Sequence, residues 1–188
     1  MSNELRVGLD LDGVIIDHSS HKLELAANLG CPLELWQTNT NLIRAFLPKD
    51  AYLDLQDRLY GELTPAAPPV SGALEHLPLI KAELFIVSAR RPQTVGYARR
   101  WLAEHGVLEI IPPERVVFVS TSEAKRSEVE RLGISAFLDD KLRALAALPP
   151  GTRKCLFDQH GIAGRLELSA GTEVFHAWKE FAEAVAAA

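Results

Sequence analysis

The stretch Leu5–Gly13, LRVGLDLDG, is a short apolar run that breaks off in two carboxylates and a glycine. Side chains two apart on a strand point the same way, so Asp10 and Asp12 are expected side by side at the carboxyl end of a buried strand. Leu5, Val7, Leu9 and Leu11 read as a parallel strand that is apolar on both faces and covered on both sides. Gly13 then lets the chain turn sharply away. Two close carboxylates repel, and burying them is costly without a cation or a shared proton, so the placement points to a metal ion. A calcium loop of the EF-hand type counted from Asp10 would need Asp, Gly and Glu where Val14, Ile15 and His21 stand, and that reading fails.

Working outward, the next strand-like run comes only at Leu84–Val87, far beyond the reach of a plain crossover helix. Something is inserted between the two, and residues 15–69 read as a small helical subdomain. His21–Leu29, Asn41–Leu47 and Ala51–Tyr60 are its expected helices, with Gly30, Pro48 and Gly61 as stops. Leu63–Val70, LTPAAPPV, is a stiff Pro-rich linker back to the core. The core is then residues 1–14 and 70–188. Val70–Ala82 is a crossover helix that Pro78 should kink or shorten. Pro92–His105 is a helix, Val116–Val119 a strand, and Ser122 a cap for a helix running to Leu132. Ala136–Leu138 is a strand ending in Asp139–Asp140, Leu142–Leu148 a short helix, Lys154–Phe157 a fifth strand, and Glu173–Ala186 the last helix. Strands alternating with helices give a three-layer α/β, Rossmann-like fold with a five-stranded parallel sheet.

The chain has 188 residues, 47% hydrophobic and 24% charged, with a net charge of −5. That balance offers no electrostatic case for a nucleic acid polymer as partner. Two cysteines, Cys31 and Cys155, are too few for a disulfide frame or a zinc site. No run approaches the ~18 apolar residues that span a bilayer, and the first residues carry no signal pattern. A soluble cytoplasmic protein without membrane contact is expected.

The polar residues gather at strand ends, where ligands bind in parallel α/β sheets. Asp10 and Asp12 follow strand one, Ser88 ends strand two, Lys125 opens the helix after strand three, and Asp139–Asp140 follow strand four. Clustered carboxylates suit a hard cation such as Mg²⁺. A hydroxyl, an ammonium and backbone N–H groups suit a phosphate. Alone, Ser88 reads as a structural hydroxyl, Lys125 as a solvated lysine and Asp139–Asp140 as the cap of the next helix, with Asp140 able to serve as cap and ligand both. Arg90 and Arg91 divide evenly between substrate contact and solvated face.

DLDGV (Asp10–Val14), IVSAR (Ile86–Arg90), Lys125 and FLDD (Phe137–Asp140), in that order, resemble the four motifs of the haloacid-dehalogenase (HAD) superfamily of phosphotransferases. The insert sits where that family places its first-type cap. SARxP after strand two, the spacing from Lys125 to Asp139 and the LFDQ…HAW segment (Leu156–Trp178) further resemble the 5′(3′)-deoxyribonucleotidase-like branch.

The resemblance implies the following roles. Asp10 is the nucleophile and forms an aspartyl-phosphate. Asp12 is the general acid, then the base. The Asp10 carboxylate, the Asp12 backbone carbonyl and Asp140 ligate Mg²⁺, with Asp139 acting through a metal-bound water. Ser88 and Lys125 hold the phosphate, with Ala89 and Gly13 beside it, and Lys141 is the rival of Lys125. The core strands are ordered 5-4-1-2-3. The cap closes over the site and selects a small phosphorylated metabolite, with a nucleoside monophosphate as first guess. Arg90, His18, His21 and Trp36 are positional candidates for substrate contact. The rivals are a sugar phosphatase, a phosphonate-cleaving enzyme using Lys22 or Lys49, and a non-catalytic phosphate- or Mg²⁺-binding regulator. Dehalogenation is disfavoured, because the resembled dehalogenases lack the second Asp.

Overall fold

The computed structural model describes residues 5–187. The chain runs β1 (Arg6–Leu9), α1 (Ser19–Asn28), α2 (Lys49–Tyr60), α3 (Ala73–His76), β2 (Glu83–Ala89), α4 (Val95–Glu104), α5 (Val107–Ile110), β3 (Val116–Val119), α6 (Lys125–Leu132), β4 (Ala136–Asp139), α7 (Leu142–Ala147), β5 (Arg153–Phe157), β6 (Thr172–Phe175) and α8 (Trp178–Ala186). All strand pairings are parallel, in the order β3-β2-β1-β4-β5-β6. The expected order of the first five strands is present, and a sixth strand extends the sheet beyond β5.

The two faces of the sheet bury two apolar clusters. One packs Val7, Leu9, Ile86 and Leu138 under Trp101, Trp178 and Phe181 from α4 and α8. The other packs Phe85, Val87 and Phe137 under Val129 and Leu145 from α6 and α7. Helices on both faces make three layers. β1 departs from its reading as apolar on both sides. Val7, Leu9 and Leu11 belong to the first cluster, and the opposite face is Gly8, roofed by the Phe137 ring. A Cβ at Gly8 would lie 2.3 Å from Phe137 Cδ2, so the strand needs a glycine there.

Several element boundaries differ from expectation for local reasons. Asn41–Leu47 forms only a single 3-10 turn at Ile43–Ala45. The crossover segment splits at its proline into α3 and a 3-10 turn, Leu77–Leu79. The helix after β3 begins at Lys125, without a Ser122 side-chain cap. Glu173–Phe175 is strand rather than helix. Among the described residues, no helix is long and apolar enough to cross a membrane. Cys31 and Cys155 are free thiols.

The insert between β1 and β2 carries its own apolar cluster, with Leu25, Ala26, Ile43, Leu47, Leu55 and Leu59 buried together. Its entry and exit strands run side by side: Asp17 N donates to Pro68 O at 2.9 Å, and Val70 N donates to Ile15 O at 2.8 Å. Two buried tryptophans fix this neck. Trp178 Nε1 donates to Val14 O (2.7 Å) and Trp101 Nε1 to Ala67 O (2.8 Å).

Candidate active site

β1 lies between β2 and β4, so the connections diverge on either side of it. A crevice at the carboxyl ends of the strands follows from that topology. Asp10, Asp12, Gly13, Ser88, Ala89 and Asp140 line one cavity there, closed from the insert side by His18, Lys22 and Tyr60.

Asp10 is buried at the end of β1, and its Oδ1 accepts the Leu11 N–H at 2.7 Å. Its Oδ2 lies 2.9 Å from Lys125 Nζ, which also donates to Asp139 Oδ2 at 2.7 Å. Burial alone would lower the Lys125 pKa, but the flanking Asp10 and Asp139 carboxylates outweigh it and hold the ammonium charged. Asp139 Oδ1 accepts the Lys141 N–H at 2.9 Å, so both oxygens of Asp139 are engaged. Asp139, rather than Asp140, thus bonds to the main chain entering α7.

Asp10, Asp139 and Asp140 can each place one oxygen within 4.8 Å of the others. Burial, with Asp10 adding repulsion, pushes the Asp139 carboxyl well above its ordinary range. Burial, then Asp139 and Asp10, push Asp140 up to about 7. A buried triad of carboxylates with one ammonium fits a hard divalent cation. Gly13 makes room for it: φ is +85°, and a Cβ would lie 2.2 Å from Asp140 Oδ2. Its N–H is bonded to Ile16 O at 2.8 Å. Gly13 therefore supplies space beside Asp140, with its own N–H already engaged.

Asp12 departs from the opening expectation that the two carboxylates share one cation. Its side chain lies outside the triad and is held by Arg90, Nε to Oδ2 at 2.8 Å and Nη2 to Oδ1 at 2.5 Å. His18 Nε2 lies 2.8 Å from the same Oδ1. Burial would raise Asp12, but Arg90 and His18 overcome it and hold the carboxyl far below the usual range. Burial keeps His18 neutral-leaning against the pull of Asp12. Arg90 is buried, which overturns its reading as a solvated face. Its remaining nitrogen, Nη1, reaches Tyr60 O (3.0 Å) and Thr64 Oγ1 (3.2 Å) in the insert.

Ser88 and Ala89 stand on the cavity wall with Asp10. Arg91 pairs with Asp57 on α2. Trp36 packs edge-on against Phe46, beneath Arg165. Sequence reasoning missed Tyr60, Thr40 and Asn41. The Asn41 side chain donates from Nδ2 to Asp140 O (2.8 Å) and accepts the Leu142 N–H (2.9 Å), joining the insert to the loop after β4. Lys22 Nζ donates to Thr38 O at 3.0 Å, and burial lowers its pKa.

No family model matches the sequence, and no curated protein matches it. Solved structures do share the fold. A HAD family hydrolase from Deinococcus radiodurans R1, with bound phosphate and sodium, is 18% identical, with a TM-score of 0.64 over 100% of this chain and 97% of that one. A conserved haloacid dehalogenase-like protein of unknown function from Agrobacterium tumefaciens is 16% identical, with a TM-score of 0.67 over 97% of each chain. A dehalogenase with an intermediate complex is 13% identical, with a TM-score of 0.61 over 96% of this chain and 97% of that one. At these identities the likeness establishes a HAD-like fold.

Proposed function

We propose that this protein is a Mg²⁺-dependent phosphate monoester hydrolase of the HAD type, working through an aspartyl-phosphate on Asp10. The observation that carries the reading is the buried Asp10 carboxylate, 2.9 Å from Lys125 Nζ, inside a triad of acids at the carboxyl edge of the sheet. Asp10 and Asp140 would hold the ion directly, together with the Asp12 backbone carbonyl. Asp139, with both oxygens engaged by Lys125 and Lys141, suits an indirect role. The cation supplies positive charge that lets an anionic nucleophile meet an anionic phosphate.

Arg90 and His18 hold Asp12 ionised in the free site, so Asp12 has to take up a proton as the ester binds. Asp10 then attacks phosphorus, and the leaving oxygen takes that proton from Asp12 as its bond breaks. Asp12 then accepts a proton from the water that displaces Asp10 and frees phosphate. Lys125 offsets the charge on Asp10 and the phosphoryl group, and Ser88 donates to a phosphoryl oxygen. Residues 15–69 serve as a cap over the site and exclude water. Asp12 separates this reading from dehalogenation, which has no leaving alkoxide to protonate. A nucleoside monophosphate is the first substrate to test and a sugar phosphate the second.

The test is phosphate release from a panel of esters, deoxynucleotides included, with and without Mg²⁺. Metal-dependent release from at least one ester is expected. No release across the panel would overturn the reading and favour a non-catalytic binding protein.

A further inference from the structure

The catalytic cavity does not end at the acids. Lys141, Tyr60 and Ala89 are shared with a neighbouring cavity of about 260 Å³, between α2 and the loops after β2 and β3. Lys141, Arg143, Gln56 and Ser122 are shared in turn with an outer cavity of about 420 Å³. The three cavities thus lie in series from Asp10 along the seam between insert and core, with shared walls.

The outer cavity is lined by Arg44, Lys49, Lys141 and Arg143, and among the described residues no Asp or Glu lines it. In a chain with 25 acidic and 20 basic residues, such a concentration of one sign is a local feature and not an average property. Arg143 pairs with Glu123 across the rim. The Arg44 guanidinium lies 5.4 Å over the Tyr52 ring, which fixes it against the wall. Lys49 opens α2 and is exposed. Clefts lined by one sign of charge focus the field and concentrate ligands of the opposite sign.

We infer that the substrate carries a second anionic group remote from its phosphate ester, and that Arg44 and Lys49, with Arg143 and Lys141, receive it. The inference rests on the phosphatase reading but sets aside the nucleoside monophosphate and the simple sugar phosphate, whose one anionic group is the ester itself. It names another substrate class: a small organic molecule with an anionic oxyacid group, carboxylate or phosphate, at the end away from the ester. Lys141 lines all three cavities and so stands between the acids and the outer basic cluster.

Three alkyl phosphates of equal length, ending in methyl, carboxylate or phosphate, test this. With Mg²⁺ and wild-type protein, at least one charged ester is expected to show kcat/KM about tenfold above the methyl ester. The preference should shrink as salt rises, because exposed charges are screened over ~8 Å at physiological ionic strength. In the double variant Arg44→Ala, Lys49→Ala the ratio should fall toward one. Both side chains are exposed, so their loss leaves the insert's apolar cluster intact. The carboxylate and phosphate arms identify which group is preferred. A wild-type ratio near one, or a ratio that survives the double substitution, would overturn the inference and leave the phosphatase reading standing. If no ester is turned over, calorimetric affinities of Asp10→Asn for the same three compounds decide the point. A tenfold preference for a charged end supports the subsite, and equal affinities refute it.

Discussion

The Arg90 guanidinium takes both carboxylate oxygens of Asp12 in a two-point grip, and its third nitrogen is tied to Tyr60 O and Thr64 Oγ1 of the insert. A group that must give up a proton is thus held ionised by a cation anchored to the neck of the insert. Removing Arg90 leaves a buried carboxylate with only His18 beside it. Arg90→Ala should cost about 3–5 kcal/mol in urea unfolding, the usual effect of breaking a buried pair. Activity should fall on the order of 100-fold as Asp12 loses its position. Arg90→Lys keeps the charge without the fork. It should recover part of the stability while kcat stays low.

Gly13 and Asp140 are packed too closely for any side chain at position 13. Gly13→Ala must place a Cβ 2.2 Å from Asp140 Oδ2 in a left-handed backbone conformation. The conformation alone costs about 1–2 kcal/mol in an L-residue, and the clash moves Asp140. The variant is expected to melt lower and to need at least tenfold more Mg²⁺ for half-maximal activity. An unchanged Mg²⁺ requirement would disconnect Gly13 from the acidic triad.

The central strands were legible because each is a short apolar run ending in a polar residue, and burial on both sides of the sheet forces that pattern. Their order followed from the motif resemblance. β6 escaped because TEVF at Thr172–Phe175 is short, half polar and at the sheet edge, directly before an amphipathic helix whose period it can be read into. Asp10, Ser88, Lys125 and Asp139–Asp140 could be found because strand ends deliver them to one edge. The grip of Arg90 on Asp12 could not, since a guanidinium two residues past a strand reads equally as solvated. Tyr60, Thr40 and Asn41 are single polar side chains on the insert, and no period marks where they meet the core.

Without a metal, Asp139 and Asp140 are carboxyls that burial and neighbouring carboxylates (Asp10 for both, Asp139 also for Asp140) keep protonated to higher pH than in the unfolded chain. A carboxyl raised in the fold favours the folded state while protonated. That stability is present below the unfolded value of about 4 and is lost as pH rises toward about 7. Metal-free protein should therefore lose melting temperature between pH 5 and pH 8 through this pair. Mg²⁺ should restore it at pH 8 and do little at pH 5. Asp140→Asn should raise the metal-free melting temperature at pH 8 and abolish the Mg²⁺ response. A response to Mg²⁺ equal at both pH values would count against the triad as its site.

Among the described residues, Asn41 is the one insert side chain that both donates to the loop after β4 and accepts from it. Its loss leaves Asp140 O and the Leu142 N–H without that partner. Asn41→Ala should cost about 1–2 kcal/mol and raise KM more than it lowers kcat, because the contact sets the seating of the insert and not the reacting atoms. A fall in kcat at constant KM would place Asn41 in the chemistry instead.

The central claim is covalent: Asp10 carries the phosphoryl group between two displacements. Acid quenching during Mg²⁺-supported turnover of the best ester, followed by mass spectrometry of the peptide holding Asp10, reads it directly. The account predicts a phosphoryl adduct on Asp10 in the wild type, and neither adduct nor phosphate release in Asp10→Asn. Steady phosphate release by Asp10→Asn at the wild-type rate would contradict it.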